Sequence, residues 1–365
     1  MIKFSRSEVE SYITNTDVVF LQNKNLSNLD LSGFDFSFHN LDGTNFENAN
    51  LKGCRFFRCS LIGANFKGSN LEDVVIKETY LGGINFAGAN LENAILKGVD
   101  AEGATFEKAN LKNAKLKDTF LMDAKFKSAK MDGVNLENSF CENANFNKAS
   151  MKGVNLKKSI LIKAKFKKAN LKKANLNGSN LESAKLNCAN LESACLKKVN
   201  LEFAILSKSI LKNANLTDAN LNEAVLESVN LENANLDSAF LINTHIISSN
   251  LKGVTLRNGN LIESVLKNVN LDYSDLQNSI FHQADLRASS LKFSILTSAD
   301  ISHADLEGAN LEGSILLEAD LRGANLKNTN FKNSDLMGTK VDNLDFYGII
   351  LEGVDMDCID LHKEM

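Results

Sequence analysis

A five-residue repeat runs through most of the chain and restricts the folds that it can adopt. From residue 169 the sequence reads ANLKK, ANLNG, SNLES, which is a small, a polar and an apolar residue followed by two variable ones. An apolar residue occupies every position numbered 5k+1 from Leu26 to Leu361, a total of 68 positions. Such a regular run is typical of a solenoid, in which each unit stacks on its neighbours. We therefore predict one elongated repeat domain over residues 25–365.

The residue types at each repeat position indicate which side chains point inward. Position 5k+1 is mostly Leu or Phe, with occasional Ile, Met and Val, whereas position 5k−1 is mostly Ala, Ser, Thr or Val. Side chains two residues apart on an extended segment share one face. One large and one small residue should therefore enter the core together, and the other three positions should face outward.

Glycine indicates a turn in every repeat. Of the 21 glycines, 19 are at position 5k+3, the exceptions being Gly82 and Gly259, and Asn is the next most frequent residue there. A position that selects Gly and Asn requires positive φ, as the third residue of a type II turn does. The chain should therefore turn every five residues.

Phenylalanine predicts how many repeats close one coil. Between residues 46 and 166 the inward phenylalanines recur every twenty residues, with Phe56 as the exception: Phe46, Phe66, Phe86, Phe106, Phe126, Phe146 and Phe166. Stacked rings need a neighbour directly above, so four repeats should make one coil. This predicts 17 coils, and with strands about 4.8 Å apart a rod roughly 80 Å long.

In this pattern the chain resembles the pentapeptide-repeat family, whose motif is Ala-Asp/Asn-Leu-x-x. The match covers about nine tenths of the chain. The resemblance implies an all-β fold, namely a right-handed, four-sided parallel β-helix solenoid. Family members also dimerise end to end, often through a C-terminal helical tail. Because this chain has only residues 362–365 after Leu361, a homodimer through the C-terminal end stays an open expectation.

Residues 1–24 lack the repeat and are predicted to form an N-terminal capping segment. Ser5 and Glu8 have the spacing of a capping box, followed by apolar residues at Val9, Tyr12 and Ile13. This predicts a short helix over 7–13. Such a helix would cover the first coil, whose edge otherwise presents unpaired backbone groups.

Composition and motifs argue against an enzyme and against a membrane span. The net charge of −4 indicates no particular partner, and no apolar run is long enough to cross a bilayer. The six cysteines have no metal-ligand spacing, which favours a reducing cytoplasm. No catalytic, phosphate-binding or dinucleotide motif is present. We expect no cofactor and no metal. His282 and His303 should be neighbours, with Glu263 in the column of His303; this set could form a weak metal site, but surface coincidence is the favoured explanation.

Lysines concentrate in the middle of the chain. Residues 101–212 contain 22 basic and 10 acidic residues, whereas residues 213–365 contain 10 basic and 23 acidic residues. The twenty-residue period collects nine lysines into a candidate basic face: Lys108, Lys125, Lys127, Lys148, Lys165, Lys167, Lys168, Lys185 and Lys208. This face could track phosphates or an acidic protein. Since no aromatic residue is interleaved, nucleic acid is disfavoured, and lysines that merely keep the surface soluble are the simpler alternative.

Apolar residues at outward positions form a candidate interaction strip. Phe120, Phe140 and Ile160 occupy position 5k in three successive coils, with Met122 and Ile162 beside them at 5k+2. A contiguous exposed apolar strip usually marks a contact surface. Stacking of bulky side chains along the wall is an equally good explanation. A second, weaker strip comprises Ile205, Val225, His245 and Val265.

Three kinds of function remain open. The favoured hypothesis is a non-enzymatic scaffold that presents side chains at fixed spacing to an unidentified protein partner. The resemblance also implies an alternative, because some family members imitate duplex DNA and bind DNA gyrase, protecting it from quinolones or inhibiting it. That role needs a strongly acidic rod, which the basic middle of this chain opposes and its acidic C-terminal half favours. Secreted, host-directed effectors also use this fold.

Overall fold

The computed structural model describes residues 4–14, 21–342, 347–356 and 359–361. The chain forms two compact units, Met1–Lys185 and Leu186–Met365. In each unit, parallel bridges join residues twenty positions apart, for example Asn25 with Asn45 and Ile205 with Val225. Each unit is therefore a parallel β-helix with four repeats in a coil. The twenty-residue period predicted from the phenylalanines is confirmed.

Regular elements are few because each wall of a coil is only one repeat long. A helix, α1, spans Arg6–Thr14. Strand β1 (Arg55–Phe57) pairs in parallel with β2 (Val75–Lys77), and β3 (Lys340–Val341) pairs in parallel with β4 (Asp360–Leu361). Elsewhere along the described repeats, only the residue at 5k in each repeat forms β-bridges, which join it to the adjacent coils, and the next turn interrupts the strand.

Helix α1 extends one residue beyond each end of the predicted helix and begins with the predicted capping box. The Ser5 amide donates to Glu8 Oε2 at 2.6 Å, and the Glu8 amide donates to Ser5 Oγ at 3.2 Å. Arg6 then reaches the first coil. Its guanidinium donates to the backbone carbonyls of Asp30 at 2.7 Å and Ser32 at 3.1 Å.

The core contains the two inward positions that the sequence predicts. Residues at 5k+1 and 5k−1 are buried through most of both units. The rings of Phe106 and Phe126 stack with centroids 4.7 Å apart and planes 3° apart. Phe56 is not an irregularity, because it stacks on Phe36 at 5.1 Å and forms a second, two-membered phenylalanine column with it. The two columns meet edge to face near the N-terminal end, where Phe46 lies 5.8 Å from Phe36.

Positive φ at position 5k+3 is confirmed. The 19 glycines at this position have φ between 64° and 78°. Many other residue types adopt the same conformation there, including Lys168 at 60° and Phe293 at 55°. A left-handed conformation costs an L-residue about 1–2 kcal/mol. A side chain other than Gly or Asn at this corner therefore costs stability and needs compensation.

Asparagine at 5k joins successive coils. Asn45 Nδ2 donates to Asn25 Oδ1 at 3.0 Å, and Asn65 Nδ2 donates to Asn45 Oδ1 at 3.0 Å. The same Asn45 oxygen accepts the Glu47 amide at 3.1 Å. Each such side chain thus stabilises both the stacking and the following turn.

Some expectations concern residues outside the described ranges. Residues 362–365, which include His362, are among them, as is Cys358. Within the ranges that the structure does describe, no helix has the length and apolar character needed to cross a bilayer.

Candidate interaction surface

The residues of the apolar strip lie on one wall of the first unit. Bridges join Phe120 to Phe140 and Phe140 to Ile160, so the three lie in register on successive coils. The Phe120 and Phe140 rings stack with centroids 5.0 Å apart and planes 8° apart. They are 41% and 40% exposed, whereas Ile160, Met122 and Ile162 are half-buried. The rings pack on each other and still present a large apolar surface to solvent.

The sequence reasoning missed that apolar exposure continues towards the N-terminal end of the same wall. Tyr80 is at position 5k two coils before Phe120 and is 65% exposed, and Ile62 is 52% exposed. Asp100 occupies the intervening coil, bridged to Tyr80 on one side and to Phe120 on the other. Because Asp100 interrupts the column, the sequence reasoning did not connect Tyr80 with the apolar strip. The twenty-residue spacing of Tyr80 and Phe120 from Asp100 would have indicated that they share a column.

An open groove of about 630 Å³ lies at this interruption. Tyr80 lines one side, Phe120 and Met122 line the other, and Asp100 lies between them. Arg58 and Glu78, which also line the groove, form an ion pair with Nε and Oε2 2.7 Å apart. The groove therefore combines two aromatic walls with one carboxylate that has no cationic partner among the described residues.

The nine lysines of the basic face are all exposed. In the first unit, Lys165 is bridged to Lys185, which places two like charges on adjacent coils of one column. Lys108, Lys148 and Lys168 are at the 5k+3 corner with positive φ. Lys208 belongs to the second unit, where it has the same corner conformation, with φ of 61°.

Ion pairs between adjacent coils are common in the rest of the chain but scarce in this basic region. Many lysines pair with an acid twenty residues away, as Lys52 does with Glu72 at 3.0 Å and Lys212 with Glu232 at 3.1 Å. Residues 143–181 contain ten lysines and no acidic residue. Apart from Lys172, none of these lysines has an ion-pair partner within the described ranges. The pairing was missed by the sequence reasoning, although opposite charges at twenty-residue spacing indicate it.

In the second unit, two aspartates pair with arginines that lower their pKa values. Arg287 donates to both oxygens of Asp285, at 2.8 and 2.6 Å. The hydrogen bonds and charge of this guanidinium hold the pKa of Asp285 below its usual range, against the opposing effect of partial burial. Arg322 lowers the pKa of Asp320 in the same way. These carboxylates are ionised at neutral pH and unsuited to proton transfer.

The two histidines are close, and among the described residues no third metal-binding side chain joins them. The rings of His282 and His303 lie 5.3 Å apart in an edge-to-face arrangement, and His282 Nδ1 is 2.9 Å from Ser302 Oγ. The Glu263 amide donates to the His282 carbonyl at 3.0 Å. No cluster of three or more His, Cys, Asp or Glu side chains suited to a metal occurs in the described part of the chain.

The buried cysteines are poor nucleophiles. Cys54 Sγ donates to the Leu31 carbonyl at 3.1 Å, and Cys59 Sγ donates to the Phe36 carbonyl at 2.9 Å. Burial raises the pKa of Cys54 to about 12 and that of Cys59 to about 11. Since the thiolate is the reactive form, neither thiol is activated at neutral pH.

Two further surface features lie in the second unit. The second apolar strip is in register, with bridges from Ile205 to Val225, from Val225 to His245 and from His245 to Val265. Tyr273 and Phe293, which the sequence reasoning missed, stack at a corner with centroids 5.3 Å apart. The signal for this pair was an aromatic residue at 5k+3, where Gly and Asn are favoured.

The twenty-residue parallel coil and the turn at every fifth residue define a β-helical repeat protein. The family model for pentapeptide repeats matches residues 21–161, 164–202, 204–246, 249–313 and 314–353. The chain therefore belongs to the pentapeptide-repeat family, whose fold is the right-handed β-helix.

The comparison with solved structures finds several matches, all with TM-scores below 0.5. HetL, a pentapeptide repeat protein involved in heterocyst differentiation regulation in the cyanobacterium Nostoc, is 22% identical over 73% of this chain and 90% of its own, with a TM-score of 0.21. QnrB1, a plasmid-mediated fluoroquinolone resistance protein, is 18% identical over 52% and 87%, with a TM-score of 0.33. Rfr23 from the cyanobacterium Cyanothece is 26% identical over 33% and 91%, with a TM-score of 0.17. Such distant similarity identifies no partner for this chain. No match was found among curated proteins.

Proposed function

We propose that this pentapeptide-repeat protein is a non-enzymatic scaffold of about 17 coils that binds a protein partner through the apolar strip. The observation that carries the proposal is the pair of stacked, 40–41% exposed rings of Phe120 and Phe140 in register with Ile160. Exposed aromatic side chains held rigidly against each other lose little entropy on binding. They are also the residue type enriched at protein interfaces.

Polar groups surround the strip as they surround the centre of a typical interface. Lys157, Lys158 and Lys163 are near it in the repeat and have no ion-pair partner among the described residues, whereas Lys117 pairs with Glu137 at 3.4 Å. A charged rim contributes to orientation and association rate more than to affinity. The three unpaired lysines therefore favour a partner with acidic residues around an apolar centre.

The test compares capture of a partner by the wild-type chain and by variants of exposed rings. We expect Phe120→Ser with Phe140→Ser to abolish capture of a defined protein from native lysate. The matched control is Phe240→Ser, since Phe240 is at the same repeat position in the second unit and is 49% exposed. Equal capture by the double variant and the control, with both chains folded, would show that the strip is wall packing.

We also propose that the basic face contacts an acidic protein surface, because residues 143–181 contain no acid and, apart from Lys172, their lysines have no ion-pair partner within the described ranges. Replacing Lys148 and Lys168 by Gly removes charge at corners where φ is already 60°. These variants should fold at least as stably as the wild type and bind the partner more weakly, with a reduced salt dependence. Unchanged binding and salt dependence would argue that the lysines serve solubility alone.

The principal alternative is a DNA mimic that binds DNA gyrase. It is supported by the charge of the second unit, which has 14 basic and 25 acidic residues, and opposed by the first unit, with 27 and 20. We expect a gyrase supercoiling assay to show neither inhibition nor drug protection at stoichiometric amounts of the full chain. Either effect would favour this alternative over the scaffold.

Two further proposals concern location and assembly. The cysteines that the structure describes are all free, which supports the cytoplasm; finding the chain outside the producing cell would favour a host-directed effector instead. Tyr347 and Ile350, 69% and 47% exposed near the C-terminal end, support homodimer formation there. Sedimentation velocity at several concentrations tests for the dimer.

A further inference from the structure

We infer that the slot between Tyr80 and Phe120, which is the part of the groove above Asp100, binds an arginine side chain of a partner polypeptide, with Asp100 as its counter-charge. The inference deepens the proposed function, because Phe120 is both a wall of the slot and the first residue of the apolar strip. It specifies the chemistry that the partner must present at that end of the strip.

The slot has the width of one planar group. Where adjacent coils of this wall both carry rings, as at Phe120 and Phe140, the centroids are 5.0 Å apart. Tyr80 and Phe120 are separated by the coil of Asp100, so their backbones are roughly 9.6 Å apart. A three-layer offset stack needs about that distance. A flat group inserted above Asp100 would therefore stack on both rings.

The charge at the base of the slot selects a cation. Asp100 Oδ1 accepts the Glu102 amide at 3.2 Å, and within the described ranges the carboxylate has no ion pair. The other charged groups of the groove, Arg58 and Glu78, neutralise each other. An inserted neutral ring would cover the half-buried Asp100 without pairing it, which is costly. An inserted cation pairs with it.

Planarity and charge together select guanidinium. Arginine stacks on aromatic faces and donates two parallel hydrogen bonds to a carboxylate. Lysine supplies a compact, strongly hydrated charge that fills less of the slot. The neighbouring strip would hold the rest of the partner segment. From the slot to Phe140 is two coils, about three residues of extended chain, so an apolar residue should follow or precede the arginine at that spacing.

The test titrates the full-length chain with capped Gly-Arg-Gly, Gly-citrulline-Gly and Gly-Lys-Gly tripeptides, observed by saturation-transfer NMR on the peptide. We expect the arginine peptide to bind with a dissociation constant on the order of 1 mM. Citrulline keeps the planar shape without charge and should bind at least tenfold more weakly, as should the lysine peptide. Asp100→Asn and Tyr80→Ser should each weaken arginine binding at least tenfold.

Asp300→Asn is the matched control. Asp300 occupies the same repeat position in the second unit, and its Oδ1 accepts the Ser302 amide at 3.0 Å as Asp100 accepts that of Glu102. Its column neighbours, however, are Ile280 and Asp320 instead of two aromatic residues. The Asp300→Asn variant should bind the arginine peptide as the wild type does. Equal binding of arginine and citrulline, equal binding of arginine and lysine, or full binding by Asp100→Asn would overturn the inference.

The outcomes separate this inference from the proposed scaffold function. If the arginine peptide does not bind while partner capture still depends on Phe120 and Phe140, the slot is rejected and the strip stands. If the arginine peptide binds through Asp100 while Phe140→Ser, which lies outside the slot, captures the partner normally, the slot stands and the strip is rejected.

Discussion

Replacing Phe106 by Ala tests the stacked core most directly. The side chain is fully buried, and the rings of Phe86 and Phe126 lie on its two sides at 5.1 and 4.7 Å. Removal of a buried phenyl ring costs about 3–5 kcal/mol, of which each lost stacked pair accounts for about 0.5–1.5 kcal/mol. Urea unfolding followed by far-ultraviolet circular dichroism measures the loss as a shift in midpoint at constant slope.

Two controls separate stacking from burial. Phe281 is fully buried but its column neighbours at 261 and 301 are Leu and Ile, so Phe281→Ala should cost about 1–3 kcal/mol less than Phe106→Ala. Asn110, which bonds to Asn90 Oδ1 at 2.9 Å and Glu92 Oε2 at 3.1 Å on the outer wall, should cost about 1–2 kcal/mol when replaced by Ala. Equal losses for the two phenylalanine variants would refute the stacking contribution, and an equal loss for Asn110→Ala would refute the cavity argument.

Three other perturbations have expected outcomes. Arg6→Ala should increase amide hydrogen exchange in the first coil, because it removes the donor to two backbone carbonyls; unchanged exchange would show that α1 does not protect that edge. Gly259→Ala should lower the free energy of unfolding, measured by urea denaturation, by about 1–3 kcal/mol, because the added methyl group would lie 2.9 Å from the Leu256 Cγ. Gly82→Ala, which places its methyl group in open space, should leave the free energy of unfolding unchanged. The Asp285 pKa is lowered in the folded state, so the contribution of this carboxylate to stability is complete above about pH 4 and is lost as pH falls through the folded pKa. Arg287→Ala should therefore flatten the dependence of stability on acid pH, and an unaltered pH profile would contradict this role of Arg287.

The sequence predicts the coil well because the constraints repeat. A five-residue period fixes which side chains face inward, and the positive φ at 5k+3 follows from Gly and Asn at that position. Seven phenylalanines at twenty-residue spacing were enough to predict four repeats per coil. Phe56 seemed irregular only because the comparison began at Phe46; the partner that explains it, Phe36, precedes that interval.

Cross-coil relationships that alternate in chemistry are harder to predict. The lysine at 212 and the glutamate at 232 have different side chains but occupy the same column, so a search for repeated residue types misses their pairing. Tyr80, Asp100 and Phe120 share a column in the same way. Reading each column at twenty-residue intervals, whatever the residue type, would have found the groove as well as the ion pairs.

Surface function in such a repeat is best sought where a residue departs from the choice that stabilises the coil. Glycine at 168 would avoid the strain that Lys168 bears at φ of 60°. An acid among residues 143–181 would neutralise lysines there, as Glu232 neutralises Lys212. An aromatic ring at position 100 would stack on both Tyr80 and Phe120 and would stabilise the coil more than the solvated carboxylate of Asp100 does. Each departure costs folding stability in the isolated chain, and each offers a surface that a complementary partner would stabilise. The lysines favour acidic groups, and Asp100 between two rings favours a planar cation, so the same partner surface would need both charges in a fixed order along an apolar centre.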